Sequence, residues 1–379
     1  MINLFSDKSQ CCGCTACLST CPKGAISMRI DDYGFNYPVI DTEHCVECKK
    51  CVAVCDFKKN SDNKNSAKLS VYACHNKNEQ IHKESSSGGV FFELGKKILQ
   101  NNGVIYGAVY DQNFNVKPIK AEKISDLEKM KGSKYVQSNI TGVFKQVKTD
   151  LEQGRKVLFS GTGCQCAGLK SYLNKNYDNL YIIDIVCHGV PSQKLFNDYK
   201  KQLEKKYKSK LISFNFRTKK IKGEIQDIEA EFENGKLYNN YPDLDNFKSF
   251  FSRSLTLRPS CYNCKYANTE RVGDITIGDF WGLEKSMPEF KSRYGTSLII
   301  ISTQKGQKLF EEISDSLETK ESTLQNALQP SLISPVKKTE IADEFMNDYI
   351  KNGFDYVCNK YNSGVFIKNL KRKIKNIIK

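Results

Sequence analysis

Residues 157–189 hold the most informative pattern in this 379-residue chain, and they read VLFSGTGCQCAGLKSYLNKNYDNLYIIDIVCHG. The first four residues are an apolar run typical of a buried strand, and a Gly-Thr-Gly turn follows at 161–163. The apolar spacing then predicts a helix to about Leu173 and a second strand at 181–186. This strand–helix–strand unit predicts two parallel strands joined by a right-handed crossover.

Two cysteines follow directly after these strands, Cys164 and Cys187. The carboxyl ends of parallel strands lie at one edge of a sheet, and neighbouring strands are about 4.8 Å apart, so we expect the two thiols to meet in space. Cys164 also opens the helix, where the positive end of the helix dipole favours thiolate. A C-x2-C pair at Cys261 and Cys264 would complete four soft ligands for either zinc or an iron–sulfur cluster.

Nine of the 16 cysteines lie in the first 55 residues, and eight of them form two runs with C-x2-C-x2-C-x3-C spacing. This is the spacing of bacterial two-cluster ferredoxins, in which the fourth cysteine of each run ligates the other cluster. The predicted ligands are therefore Cys11, Cys14, Cys17 and Cys55 for one [4Fe-4S] cluster, and Cys45, Cys48, Cys51 and Cys21 for the other. The alternative is a pair of zinc knuckles, which usually hold their C-x2-C pairs farther apart.

Two residues depart from the ferredoxin pattern. Cys12 is a surplus thiol, which we interpret as a non-ligand, and Asp56 stands where the second run would have proline, which predicts a looser turn there. With this electron-carrying module attached to the chain, the four cysteines behind the strands are better interpreted as ligands of a third cluster than of zinc.

The fold class predicted is α+β or α/β, with a small bacterial-type ferredoxin domain followed by an α/β domain. The expected organisation is a ferredoxin domain at 1–58, a polar linker at 59–69, the main domain at 70–345 and a basic helical tail at 346–379. Further elements predicted are a helix from Val90 to about Leu99, a strand at 104–110, a capping box at Ser125 and Glu128, antiparallel strands at 211–238 turning at Asn234-Gly235, and strands at 275–277 and 298–301.

Composition excludes several classes of protein. Hydrophobic residues make up 39% of the chain, enough for a core, and no apolar run has the length of a membrane span. No secretory signal is evident at the start of the chain, so we expect a cytoplasmic protein with reduced thiols. The formal charge of +15 comes mostly from dispersed Lys and falls when negatively charged clusters bind, which argues against nucleic acid as a partner.

The end of the chain is basic and amphipathic. Phe366, Leu370 and Ile374 recur at helical spacing among lysines. Such a stripe predicts either peripheral contact with an anionic membrane or a partner, or a terminal helix packed on its own domain.

Five motifs together carry a resemblance to a known family. They are SSSGGVFFEL, GSKYVQS, FSGTGCQCAGL, DIVCHGVPS and LRPSCYNCKYANTERVGDITIGDFWG, in this order behind the two-cluster module. The chain resembles the coenzyme F420 hydrogenase/dehydrogenase beta-subunit family of iron–sulfur flavoproteins over residues 8–302. The resemblance implies FAD and a nearby four-iron cluster ligated by Cys164, Cys187, Cys261 and Cys264. The family usually has proline where Gly163 stands, and Cys166 is an additional thiol that competes with Cys164 for the ligand position.

The residues themselves give only weak support for FAD binding, because no G-x-G-x-x-G motif is present. Glycine turns before helices offer backbone N–H groups to phosphate, and a Lys–Tyr pair offers a cation and a ring, although each is also explained as an ordinary turn. The candidate FAD contacts are Ser87, Gly88, Gly89, Gly132, Ser133, Lys134, Tyr135, Gly161 and Thr162.

His188 is the candidate catalytic residue, because it follows a presumed ligand. It would relay protons to reduced flavin or hydrogen-bond cluster sulfur, or else it only holds the turn. Arg253, Arg258 and Arg271 flank the C-x2-C pair and would bind an anionic substrate or offset cluster charge.

The function predicted is an iron–sulfur flavoprotein oxidoreductase. It would move electrons between a hydride-exchanging substrate, either a deazaflavin coenzyme or another conjugated ring, and an external electron carrier protein. The alternatives are an electron-relay subunit with no substrate of its own, and a zinc-stabilised scaffold or nucleic-acid protein.

Overall fold

The computed structural model describes residues 2–59, 70–219 and 227–362. The amino-terminal unit contains the antiparallel strands β1 (Ile26–Ile30) and β2 (Asn36–Ile40) and the short helices α1 (Ala16–Thr20) and α2 (Lys50–Ala53). Each cysteine run leads into one of these helices, so three thiols of each run are wound around a helix start. This is the ferredoxin domain predicted from the cysteine spacing.

The described residues contain eleven further strands. They are β3 (Ser70–Asn76), β4 (Val104–Tyr110), β5 (Val116–Ala121), β6 (Val157–Thr162), β7 (Leu180–Ile185), β8 (Leu211–Thr218), β9 (Asp227–Phe232), β10 (Leu237–Asn240), β11 (Ile275–Asp279), β12 (Ser297–Ile301) and β13 (Leu317–Ser322). Eight of them form one sheet in the order β13-β3-β12-β11-β7-β6-β4-β5. Its centre, β11-β7-β6-β4, is parallel, and the register of β6 with β7 runs from Val157 opposite Leu180 to Thr162 opposite Ile185.

The helices of the main domain flank these sheets. They are α3 (Glu79–Glu84), α4 (Val90–Gln100), α5 (Ile124–Met130), α6 (Val143–Glu152), α7 (Gly163–Leu173), α8 (Gln193–Tyr207), α9 (Asn246–Ser252), α10 (Leu283–Ser286), α11 (Gln304–Glu311), α12 (Leu324–Ala327), α13 (Pro330–Ile333), α14 (Ala342–Asn352) and α15 (Phe354–Tyr361). Helix α7 joins β6 to β7 and begins with a capping box between Thr162 and Gln165. The predicted parallel unit is therefore confirmed.

The capping box predicted at Ser125 and Glu128 is wrong. Helix α5 begins at Ile124, and its N-cap residue is Lys123, with no side-chain cap. Ser125 therefore lies inside the first turn, where its hydroxyl is not in the N-cap position.

A second, three-stranded antiparallel sheet has the order β10-β9-β8, and its hairpin turns at Asn234-Gly235 as predicted, with Gly235 at a φ of +76°. It packs with α8, α9, α14 and α15 around an aromatic core that includes Phe196, Phe216, Phe247 and Phe345. The boundary expected at residue 346 falls inside α14, whose Phe345, Met346 and Tyr349 belong to this core. Helices α14 and α15 are thus part of the folded domain.

The ferredoxin domain docks on the main domain through buried polar contacts. The guanidinium of Arg258, only 1% exposed, donates to the carbonyl oxygens of Cys11 (2.8 Å) and Asn36 (2.9 Å) and stacks on Tyr37, 4.2 Å from the ring centroid. The hydroxyl of Tyr266 donates to the carboxylate of Asp56 at 2.7 Å. Asp56 therefore replaces the expected proline with a buried tie to the main domain.

Two predicted segments lie mostly or wholly outside the described residues, the polar linker at 59–69 and the terminal helix at 365–379. Within the described part of the chain, none of the helices is both long and apolar enough to cross a bilayer.

A buried ion pair fixes the end of β7. Arg271 Nη2 lies 2.7 Å from Asp184 Oδ2, and the two side chains are 2% and 0% exposed. We expect Arg271→Leu to lower the free energy of unfolding by about 3–5 kcal/mol, because it leaves Asp184 buried without its countercharge. The matched control is Arg253→Leu, which removes an exposed guanidinium bonded to the Tyr361 carbonyl and should cost no more than about 1 kcal/mol. Thermal unfolding under argon measures both, and equal losses would contradict the expectation.

Candidate functional site

The first cysteine group of the ferredoxin domain assembles as the spacing predicts. The thiols of this group lie close enough for the charge of one to raise the pKa of another; they are Cys11, Cys14, Cys17 and Cys55. Burial raises the pKa of the Cys11, Cys17 and Cys55 thiols, so the protein alone disfavours four thiolates here. A cationic iron core supplies the charge that would stabilise them.

The second group of cysteines lines a separate cavity. Cys21, Cys45, Cys48 and Cys51 line one cavity together with Pro22, Ile26 and Ile40. Cys51 is buried and Cys48 is exposed, so this group reaches the protein surface. The structure thus brings together the two ligand sets with their fourth cysteines exchanged.

The third group forms at the carboxyl edge of the parallel sheet. Cys164 is the second residue of α7, Cys187 follows β7, and Cys261 and Cys264 lie in and after the 3-10 turn Pro259–Asn263. Cys187 has the other three as its electrostatic neighbours. Burial raises the pKa of Cys261 to about 12 and of Cys264 to about 11, whereas hydrogen bonding to Cys12 lowers that of Cys164 to about 7.

Cys166 points elsewhere. Its side chain is 0% exposed and belongs to the core cluster around Phe159 and Leu169, with its sulfur 4.0 Å from the Ile183 carbonyl oxygen. Burial raises its pKa well above the ordinary value. This placement favours Cys164 as the ligand.

Among the described residues, no three His, Cys, Asp or Glu side chains converge closely enough to hold a metal ion. A four-iron cluster is itself a cube of iron and sulfide, so its four thiolates surround a larger body than one ion.

The Ser87-Gly88-Gly89 loop lies between α3 and α4. Gly88 is packed tightly, because a Cβ there would lie 2.2 Å from the Cys74 carbonyl oxygen. Its N–H donates to Ser297 Oγ at 2.8 Å, and the Ser87 hydroxyl donates to the Thr296 carbonyl at 3.1 Å. Gly89, at a φ of +82°, is the N-cap of α4. The amide of Gly88 is therefore already used within the protein.

The Gly132–Tyr135 loop is joined to this region by Ser86. The N–H of Ser133 donates to Ser86 Oγ at 2.5 Å, and the two hydroxyls are 2.9 Å apart. The ammonium of Lys134 donates to the carbonyls of residues 130–132, and burial lowers its pKa to about 7. Lys134 thus caps the end of α5 with its charge directed at the protein.

Gly161 and Thr162 end β6 beside the central thiols. Thr162 Oγ1 lies 3.2 Å from Cys164 Sγ, and Thr162 also caps α7. These two residues therefore connect the predicted flavin region with the predicted cluster.

His188 lies on the same side of the sheet. Its Nε2 is 3.0 Å from Ser254 Oγ, and its ring meets Phe251 edge-on. Burial, followed by the charge of Lys248, lowers its pKa, so the imidazole is neutral near pH 7.

Sequence reasoning missed two cations that face Tyr135. Lys248 is 6% exposed, with its ammonium 3.4 Å from the Tyr135 ring centroid, and among the described residues no hydrogen-bond acceptor reaches it. Arg217 pairs with Asp279 at 2.9 Å, yet its buried Nε has no hydrogen-bond partner within the described part of the chain. Lys248 lies in an aromatic helix and Arg217 in a strand, so only their positions beside Tyr135 in the folded protein identify them.

Of the two roles predicted for the flanking arginines, their positions favour the offsetting of cluster charge, because Arg258 and Arg271 lie beside the predicted ligand thiols. Arg258 and Arg271 are buried with protein partners, and Arg253 bonds the carbonyl of Tyr361. A surface cleft nearby is instead lined by Arg217, Lys219, Lys291 and Trp281, the last 56% exposed.

Comparison with known proteins shows a ferredoxin domain at the start of the chain. Residues 10–59 match the model of the 4Fe-4S dicluster domain. The chain is 32% identical over 74 residues to an uncharacterized ferredoxin of Methanocaldococcus jannaschii, an alignment that covers 17% of this chain and 95% of that protein. It is 42% identical over 53 residues to a ferredoxin-like protein in the nif region of Rhizobium leguminosarum bv. trifolii, which covers 12% of this chain and 75% of that protein. The chain is an iron–sulfur protein with a ferredoxin domain.

Residues 154–326 match the model for the C terminus of the beta subunit of coenzyme F420 hydrogenase/dehydrogenase. This segment carries the C-terminal domain of that oxidoreductase family, and the dicluster ferredoxin domain lies in front of it. A chain of the F420-reducing [NiFe] hydrogenase complex from Methanosarcina barkeri is a distant structural neighbour, with a TM-score of 0.45 and 16% identity over 77% of this chain and 91% of that one.

The ligand choice between neighbouring thiols can be tested directly. We expect Cys164→Ser to lose about four iron atoms per chain and Cys166→Ser to lose none, because only the first thiol faces the other three. Iron and acid-labile sulfide are counted on anaerobically reconstituted protein. The reverse pattern would make Cys166 the ligand.

Proposed function

We propose that this chain moves electrons between a hydride-exchanging substrate and an external electron carrier through FAD and three [4Fe-4S] clusters. The observation that carries the proposal is the succession of three thiol groups, from the half-buried central group through Cys11–Cys17 to the exposed Cys48. Such a succession supports electron transfer from the sheet edge to the surface of the ferredoxin domain, where a carrier protein would dock.

The residues around Tyr135 fit FAD by their charge. Among the described residues, the buried Nε of Arg217 has no hydrogen-bond partner, and the Lys248 ammonium lies over the Tyr135 ring without an acceptor. Both groups would favour an anionic ligand near them. Lys248 and Arg217 would hold that group, with Ser86 and Ser133 supplying hydroxyls on the neighbouring loop. When bound, FAD supplies hydride exchange with a substrate and single-electron exchange with a cluster.

The chain's own groups define what surrounds that chemistry. Lys248, whose ammonium lies over the Tyr135 ring, would supply positive charge to the bound anionic group. His188, neutral near pH 7, accepts a proton at Nε2, where Ser254 is its hydrogen-bond partner. The cleft with Trp281, Lys219 and Lys291 offers a ring surface and cations to a planar anionic substrate.

An electron relay without a substrate of its own is the second candidate. The Gly88 amide and the Lys134 ammonium, two donors expected to meet FAD phosphates, are both engaged within the protein. A flavin count on anaerobically purified protein separates the candidates, because a relay protein of this kind holds clusters and no flavin.

The order of electron transfer gives one test. In a Cys264→Ser protein confirmed to lack the central cluster, a hydride donor should still reduce the flavin, but transfer to an external acceptor should stop because the route to the ferredoxin domain is interrupted. Stopped-flow absorbance follows both steps, with Cys166→Ser as the matched control. Unimpaired transfer in Cys264→Ser would refute the order.

The buried ammonium gives a second test. We expect Lys248→Met to weaken FAD binding roughly tenfold to hundredfold, because a charge-assisted hydrogen bond is lost. Flavin-free protein should become more stable, because the burial that lowers the pKa of the ammonium to about 7 no longer opposes folding. Flavin fluorescence titration and thermal unfolding measure the two effects, with the exposed Lys236→Met as the control. Loss of stability together with unchanged binding would give Lys248 a structural role only.

A further inference from the structure

The first loop of the ferredoxin domain lies directly against helix α7. A Cβ built on Gly168 would lie 2.8 Å from both Cβ and Sγ of Cys14, so only glycine allows this approach. Gly168 follows Cys164 by four residues, which puts both on one face of the helix. Cys11, Cys14, Cys17 and Cys55 are the proposed ligands of what we call the inner ferredoxin cluster, and Cys164 is a proposed ligand of the central cluster. Cys14 therefore touches the helix that carries Cys164.

Cys12 lies between the thiols of Cys14 and Cys164. Its side chain is 5% exposed and lies next to the thiols of both Cys14 and Cys164. Its backbone carbonyl accepts from Gln137 Nε2 at 2.9 Å. The surplus thiol of the ferredoxin run is thus held by the main domain against one sulfur of each proposed cluster.

Arg258 fixes the loop from the other side. It donates to the Cys11 carbonyl at 2.8 Å and to Gln137 Oε1 at 3.0 Å, and its Nη2 is 3.8 Å from Cys11 Sγ. A Cβ on Gly13 would lie 3.0 Å from this guanidinium. The loop around Cys12 therefore has little freedom to move away from α7.

We propose that Cys12 is a positioning residue shared by two clusters, whose thiol hydrogen-bonds to the ligand sulfurs of Cys14 and Cys164 and sets the potentials of both. This inference rests on the proposed function. One electron leaves the reduced central cluster and enters the inner ferredoxin cluster, and Cys12 keeps its proton and is not oxidised. Hydrogen bonds to cluster sulfurs stabilise the reduced, more negative state and so raise the potential.

The test uses the holoprotein with Cys12→Ala, Cys12→Ser and the control Cys358→Ala, which removes a buried thiol remote from the clusters. Redox titrations followed by electron paramagnetic resonance give the potential of each cluster. The signal lost in Cys164→Ser marks the central cluster. The signal lost in Cys48→Ser marks the outer ferredoxin cluster, whose proposed ligands are Cys21, Cys45, Cys48 and Cys51.

We expect Cys12→Ala to make both the central and the inner cluster about tenfold harder to reduce, which is 59 mV for a one-electron couple, with the outer cluster unchanged. Cys12→Ser should recover part of the shift, because its hydroxyl still donates, and iron content should stay near twelve in every Cys12 variant.

Several outcomes would overturn the inference. Loss of four iron atoms in Cys12→Ala would make Cys12 a ligand, a shift of one cluster only would confine it to that site, and no shift would leave it a packing residue. If the wild type contains no central cluster or no flavin, the proposed function fails by that count, before any variant is compared.

Discussion

The parallel pairing of β6 with β7 governs the geometry of the whole site. It brings the ends of two strands to one sheet edge, where Cys164 and Cys187 meet the C-x2-C turn. The same pairing fixes α7, and the glycine on α7 admits the ferredoxin loop at Cys14. Two domains with separate folds thus place their sulfurs in contact through one helix.

Charge balance explains much of the remaining architecture. Arg258 is almost fully buried, and its hydrogen bonds go to carbonyl oxygens instead of a carboxylate, while Lys248 has no acceptor among the described residues. Buried cations of this kind destabilise a protein unless negative charge lies near them. Thiolate-ligated clusters are negative overall, and so is a flavin diphosphate, so the proposed cofactors are the groups that would offset these cations.

Local patterns predicted much of the fold. The βαβ unit, helix α4, strand β4 and the Asn-Gly hairpin were all evident, because each rests on a short-range periodicity or turn preference. The Ser125 capping box was wrong because the helix start is set by packing of Leu127 and Met130, which a local motif does not report. The aromatic core shared by the small sheet and α14 joins segments more than a hundred residues apart, which no local pattern links.

Cysteine spacing predicted which thiols of the ferredoxin domain come together, since spacing constrains how a short chain wraps a cluster, and the βαβ topology with the family resemblance predicted the third group. The neighbours of those groups became known only from the folded molecule. In the folded protein the Cys166 side chain is buried in the core, and Asp56 accepts a hydrogen bond from Tyr266. Cys12 lies between Cys14 and Cys164. The physical reason is that contacts across a domain junction depend on the shapes of two folded surfaces, and shape at that distance is not encoded in the spacing of residues along either one.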